Sequence, residues 1–231
     1  DDSSRRALKC ALDRGINFYD TSNVYGEGHS ETLIGEALLK KRDRVVVATK
    51  VGLVEYGKPI DFSIKSLTAS LEASLKRLQT DYVDLMQLHN PSPNAIEQDN
   101  DILDWVCQLK KEGKIRSFGV SARSPEDGFW AIERLKAECV QVNFNLLDRR
   151  AIDSGLMKSA EVNKVSLIAR TPLCFGFLTG KLNEETCFDE RDHRSNWPSQ
   201  QIEKWIQGSR KILSCKTESP CQTDTQFALR F

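Results

Sequence analysis

Only three histidines and two methionines occur among 231 residues, and no Cys-x-x-Cys pair is present. The histidines lack metal-ligand spacing, so the chain carries no zinc signature and no metal site is expected. Cysteine is present in an odd number: Cys10, Cys107, Cys139, Cys174, Cys187, Cys215 and Cys221. Cys10, Cys107, Cys139 and Cys174 lie in apolar helix or strand patterns, which predicts reduced thiols in a cytoplasmic protein rather than a disulfide framework. No apolar run reaches the roughly 18 residues of a membrane span. There is no charge excess of either sign. The 33 basic and 33 acidic side chains cancel, which disfavours a nucleic-acid binder. The opening Asp1-Asp2-Ser3-Ser4-Arg5-Arg6 has no secretory h-region, and no internal repeat or low-complexity linker follows.

What is present is regular alternation. With 39% hydrophobic and 29% charged residues, residues 1–231 read as a single globular domain with a full-sized core. Apolar segments at 16–20, 44–49, 82–88, 115–120, 139–144 and 165–170 predict six strands. Between them, helical periodicity predicts helices over 3–14, 31–41 (capped by Ser30), a stretch after Ser63, 96–112 (ended by Gly113), 125–137 and 152–163. Residues 171–198 form a long irregular connection, and helical pattern resumes at 199–214 and 222–231. Strands alternating with helices predict parallel units, which either an open doubly wound sheet or a closed barrel satisfies. The α/β (β/α)8 TIM barrel is favoured because polar chemistry sits at the end of strand after strand, the working face of a barrel.

That chemistry is an acid, a phenol, an amine and an imidazole: Asp20, Tyr25, Lys50 and His89. A free phenol titrates at about pH 10 and is a weak acid at neutrality. An ammonium at about 4 Å favours the phenolate by roughly 4 kcal/mol at an effective dielectric of 20. Lys50 can therefore acidify Tyr25, Asp20 can keep Lys50 charged and aimed, and His89 can orient a substrate oxygen. Taken singly, each residue has an ordinary structural reading: a turn tyrosine, a solvated lysine, a capping aspartate. Their joint placement at successive strand ends carries the chemical reading. Elsewhere the ordinary reading prevails. The Glu184–Arg194 charge cluster reads as a solvated loop, and Trp105, Trp130, Trp197 and Trp205 read as packing groups rather than a substrate cage.

Gly-Ile-Asn-Phe-Tyr-Asp-Thr-Ser at 15–22, Val-Tyr-Gly at 24–26, Ala-Thr-Lys at 48–50 and Ser-Leu-Lys-Arg-Leu-Gln-Thr-Asp-Tyr-Val-Asp-Leu at 74–85 form a linked series of motifs. It continues with Gly-Lys-Ile-Arg-Ser-Phe-Gly-Val-Ser at 113–121, Gln-Val-Asn-Phe-Asn at 141–145 and Leu-Thr-Gly-Lys-Leu at 178–182. The series resembles the aldo-keto reductase superfamily of NADPH-dependent carbonyl reductases, over nearly the whole chain. The resemblance implies Tyr25 as proton donor, Lys50 and Asp20 as its tuning pair, and His89 as the carbonyl-orienting group. It also implies cofactor contacts from Asp20, Ser121, Gln141, Arg170, Leu173, Gly176, Leu178 and Lys181. Ser121 and Gln141 would hold the nicotinamide carboxamide, and Arg170, as in a largely microbial branch, would stack on its ring. Ala122 departs from the family's frequent Asn, and relative to the family the first and last barrel strands are not in the sequence. An incomplete barrel is therefore expected.

The function this implies is reduction of an aldehyde or ketone, a small-molecule carbonyl substrate, by hydride from NADPH, with Tyr25 as general acid. Two alternatives stand beside it. One is a catalytically impaired or cofactor-sensing relative. The other is a Schiff-base lyase using Lys50 as nucleophile, which an Asp20–Lys50 pair argues against by keeping the amine protonated.

Overall fold

The computed structural model describes residues 1–38, 41–53, 60–96, 101–218 and 223–231. Six strands form one sheet in the order β1-β2-β3-β4-β5-β6: Phe18–Asp20, Val46–Val51, Val83–His89, Ile115–Ser121, Cys139–Asn143 and Ser166–Arg170. Pairings from β1 through β5 are parallel. Spatial order follows chain order without a reversal. A doubly wound sheet would reverse at a switch point, so the topology is the singly wound one of a barrel.

Local sequence explains the elements. The β-branched run around Val45, Val46 and Val47 supplies β2. In α3 (Ile64–Leu78), Leu67, Leu71, Leu75 and Leu78 recur at helical spacing and are all buried, each contributing roughly 1.5–3 kcal/mol. Ser63 caps that helix, its side chain accepting from the Ser66 amide at 3.3 Å. α2 (His29–Leu38) packs close to the end of α3. A Cβ on Gly35 would lie 2.6 Å from the Arg77 carbonyl oxygen, so only glycine fits there.

The chain forms two compact units, Asp1–Gln141 with Ser159–Leu167, and Val142–Lys158 with Ile168–Phe231. The first has its core between the sheet and α3, α5 (Ile102–Lys111) and α6 (Pro125–Glu133), with Leu67, Met86, Leu88, Phe118 and Val120 buried. Asp84 pins the start of β3. It accepts from the Val47 amide (2.9 Å) and pairs with Arg42 (2.7 Å) and Arg116 (2.8 Å), whose guanidinium groups both lie over the Tyr82 ring. The second unit is built around Cys174, Phe177, Leu178, Ile206 and Ala228, with Trp197 and Trp205 packed against them.

Several expected boundaries shift. α2 begins at His29, so Ser30 lies inside its first turn and accepts from the Thr21 hydroxyl (2.8 Å) instead of capping. Positive φ at Gly26, Glu27 and Gly28 tightens the preceding turn and starts the helix early. Residues 39–40 of the expected helix lie outside the described residues. The helix expected over 96–112 becomes α4 (Pro93–Ile96) and α5, with 97–100 outside the described residues. The helix over 125–137 stops at Glu133, where the chain closes through a left-handed Lys136 (φ 51°) and an Ala137 amide to Ala131 oxygen bond. The helix over 152–163 divides at Gly155 (φ 82°) into α7 (Arg150–Asp153) and α8 (Leu156–Asn163). Helix α9 (Ser199–Leu213) lies where expected, and α10 (Asp224–Leu229) opens with a Thr223–Gln226 capping box.

The cysteines in apolar patterns divide. Cys139 and Cys174 are buried thiols, whereas Cys10 and Cys107 are exposed, and the described cysteines are free. Cys221 lies outside the described residues. No described helix is long and apolar enough to cross a membrane.

Candidate active site

Strand register builds the site in steps. Asp20 is level with Ala48 on β2, and Lys50 follows two residues later on the same face. Lys50 is level with Gln87 on β3, and His89 follows two residues later. His89 is level with Ser121, and Ser121 with Gln141. One sheet face therefore carries Asp20, Lys50, Gln87, His89, Ser121 and Gln141, each strand displaced along its neighbour. All belong to the first unit. Tyr25 joins them from the turn after β1.

Lys50 is at the centre. It is fully buried, and its ammonium donates to Asp20 Oδ2 (2.5 Å), to the Thr21 carbonyl (2.8 Å) and to Tyr25 Oη (3.5 Å). An ammonium has three N–H bonds and no acceptor. Tyr25 therefore receives at its oxygen and directs its own proton elsewhere. The Tyr25 and His89 rings meet edge to face with centroids 6.0 Å apart. His89 Nδ1 lies 3.0 Å from Ser22 Oγ, a partner the sequence patterns did not single out. Ser121 Oγ donates to Gln141 Oε1 at 3.3 Å, so these two buried side chains form a joined polar pair.

Gln87 was also missed. It is wholly buried and donates from Nε2 to Asp20 Oδ1 at 2.9 Å, while its Oε1 has no hydrogen-bond partner among the described residues. Its position two residues before His89 on a period-two strand was the available signal. Cys139, the first residue of β5, has its thiol pushed up to about 12 by burial and secondarily by the charge of Asp20. Such a thiol is not a nucleophile at neutral pH.

The remaining candidates lie in the second unit. Arg170 Nε donates to Asn143 Oδ1 (3.0 Å), which also accepts from Thr171 Oγ1 (3.0 Å). The following loop is strained: Thr171, Cys174 and Phe175 have φ of 53°, 45° and 55°. Leu178 is buried in the unit's core and Leu173 packs against it. The Gly176 and Leu178 amides both donate to the Leu173 carbonyl (3.0 and 3.1 Å). An anion bound at this loop would therefore be met by the exposed Lys181 ammonium rather than by those two amides.

In the Glu184–Arg194 cluster Glu184, Glu185, Asp189, Glu190 and Arg191 are exposed as expected, and Arg194 is the exception. It is half-buried, donates to the Phe175 carbonyl (2.8 Å) and stacks over Phe188, while its hydrogen bond holds the Asp192 carboxyl down to about 2. Trp197 and Trp205 pack with Phe175 and Phe177, as packing groups do. Among the described residues, no cluster of three His, Cys, Asp or Glu side chains is placed to hold a metal ion.

A model of the Aldo/keto reductase family matches residues 1–230, and the chain belongs to that family. It is 37% identical over 203 residues to aldo-keto reductase YhdN of Bacillus subtilis (strain 168), covering 85% of this chain and 60% of that protein. Among solved structures it resembles a glycerol dehydrogenase from Gluconobacter oxydans, with a TM-score of 0.81 and 33% identity over 98% of this chain and 71% of that one. It also resembles an aldo/keto reductase from Klebsiella pneumoniae solved in complex with NADP and acetate. There the TM-score is 0.62 and the identity 28%, over 79% of this chain and 65% of that one. The chain spans about three-fifths of the length of the curated relatives it matches. With these neighbours, the sequential parallel sheet is part of a (β/α)8 barrel, the incomplete barrel expected from the sequence.

Proposed function

We propose that this chain reduces an aldehyde or ketone to the alcohol, with Tyr25 as general acid and NADPH as reductant. The observation that carries the reading is the Lys50 ammonium lying between Asp20 Oδ2 (2.5 Å) and Tyr25 Oη (3.5 Å). The buried cation stabilises phenolate over phenol, so Tyr25 releases its proton more readily to a carbonyl oxygen as that oxygen gains negative charge. Asp20 keeps Lys50 ionised within an otherwise low-dielectric face. In this reading His89, whose Nδ1 is engaged by Ser22, holds the carbonyl oxygen beside the phenol.

The donor set suits a nicotinamide cofactor. Ser121 and Gln141 offer a hydroxyl and an amide side by side, which matches the donor and acceptor of a carboxamide. On the second unit, Arg170, Leu173, Gly176, Leu178 and Lys181 remain the candidates, with Lys181 the cation suited to phosphate oxygens. When bound, the cofactor supplies the hydride. NADP in the Klebsiella pneumoniae neighbour supports the choice of nucleotide. A single catalytic domain over 1–231 and a cytoplasmic location belong to the same reading, the latter supported by free cysteines. The tight Asp20 pairing works against a Schiff-base lyase, because a protonated amine is not nucleophilic.

Tyr25→Phe removes the transferable proton and leaves the ring. Carbonyl reduction is expected to fall by at least about a hundredfold while NADPH still quenches protein fluorescence on titration. Parental turnover in that variant would overturn the assignment of the acid.

A further inference from the structure

We infer that Gln87 is a positioning residue for the Asp20 carboxylate, fixing which of its oxygens faces Lys50. The inference deepens the reductase reading and rests on it for its kinetic consequence. Three observations converge. Gln87 Cα is level with Lys50 and its side chain shares the face with Asp20. Its Nε2 donates to Asp20 Oδ1 at 2.9 Å, and the other oxygen, Oδ2, is the one on Lys50. Its own Oε1 is buried without a hydrogen-bond partner among the described residues.

The third observation separates this residue from ordinary packing. An amide in an apolar strand normally satisfies both ends. Here the carbonyl end is left unmade while the N–H end meets a carboxylate. Turning the amide over would set its oxygen against the Asp20 anion, so the carboxylate dictates the orientation. The Asp20 side chain is 27% exposed and has a way out toward solvent, whereas Lys50 is 0% exposed and has none. The Gln87 N–H on Oδ1 restrains the carboxylate from turning that way. Without it, Asp20 can rotate off Lys50, the buried ammonium loses its counter-ion, and the cation beside Tyr25 is held less firmly.

The test is Gln87→Met, which keeps length and volume but has no N–H. The 231-residue chain is assayed for NADPH-dependent reduction of an aromatic aldehyde. Ionisation of Tyr25 is followed by NMR with ring-carbon-labelled tyrosine, the signal assigned through Tyr25→Phe. We expect kcat to fall about tenfold to a hundredfold with KM within about twofold, as a displaced catalytic group produces. The Tyr25 titration moves to higher pH. A variant with parental kcat and an unmoved titration overturns the inference and leaves the reductase reading intact. A moved titration in a protein that reduces no carbonyl supports the positioning role and removes the reductase reading. Should the Met variant fail to fold, Gln87→Glu carries the test. An ionised carboxyl there cannot donate to Asp20, so kcat falls and the Tyr25 titration moves to higher pH. A titration that matches the parent throughout overturns the inference.

Discussion

Lys50 Nζ donates to Tyr25 Oη across 3.5 Å while the same nitrogen holds Asp20 Oδ2 at 2.5 Å. The phenol therefore sits next to a cation that cannot accept its proton, and an anion is one group further away. This ordering leaves the hydroxyl's own proton directed away from Lys50, as the proposed proton transfer requires.

Lys50→Met keeps the stem and deletes the charge. The expected outcome is a fall in kcat of about 10²–10⁴, the range of a lost general acid–base contribution, measured by steady-state reduction at saturating NADPH. Borohydride treatment of the parent with a carbonyl substrate should leave Lys50 unmodified by mass spectrometry.

Glu31 tests the support behind β2. It is 0% exposed, accepts from Thr49 Oγ1 (2.5 Å) and pairs with Arg77 at 2.7 Å. Its removal strands a partly buried guanidinium and a buried hydroxyl. Glu31→Ala should lower unfolding free energy by about 3–5 kcal/mol, read from urea denaturation midpoints at constant slope.

The buried thiols set an alkaline limit. Cys139 is pushed up to about 12 and Cys174 to about 11, from an ordinary value of 9.0, burial being the main cause in both. Above pH 9 the unfolded chain loses these protons and the folded chain keeps them, so folding stability falls as pH rises through that window. Each thiol should remove roughly 1 kcal/mol per pH unit between about 9 and 11. Denaturation of Cys139→Ala alongside the parent at pH 8 and 10 should show the smaller pH loss in the variant.

The four polar residues at strand ends were legible because each interrupts or follows an apolar run, and barrels place function there. Gln87 was not. Between Met86 and Leu88 it reads as one polar residue in a strand, and only the register, which places it level with Lys50, reveals what it meets. Ser22 was hidden for the same reason, since its partner lies 67 positions away. Arg194 failed differently: charge density suggested solvent, but a carbonyl in the strained Phe175 turn draws its guanidinium inward. Cys10 is a free thiol in a helix as expected, but α1 (Asp2–Asp13) has no buried residue in this structure, so that thiol is exposed. Helix ends moved wherever a positive φ residue, such as Gly155 or Lys136, closed a turn that periodicity alone cannot see.

The Asp84 clamp divides labour along β3. His89 lies five residues further on, about 16 Å away in an extended strand, and on the opposite face. One end of the rod is bolted to two arginines and a tyrosine, and the other presents an imidazole. Changes at the bolted end can raise or lower resistance to heat from the face opposite the Asp20, Lys50 and His89 side chains, which makes it the place to harden this scaffold without disturbing that cluster.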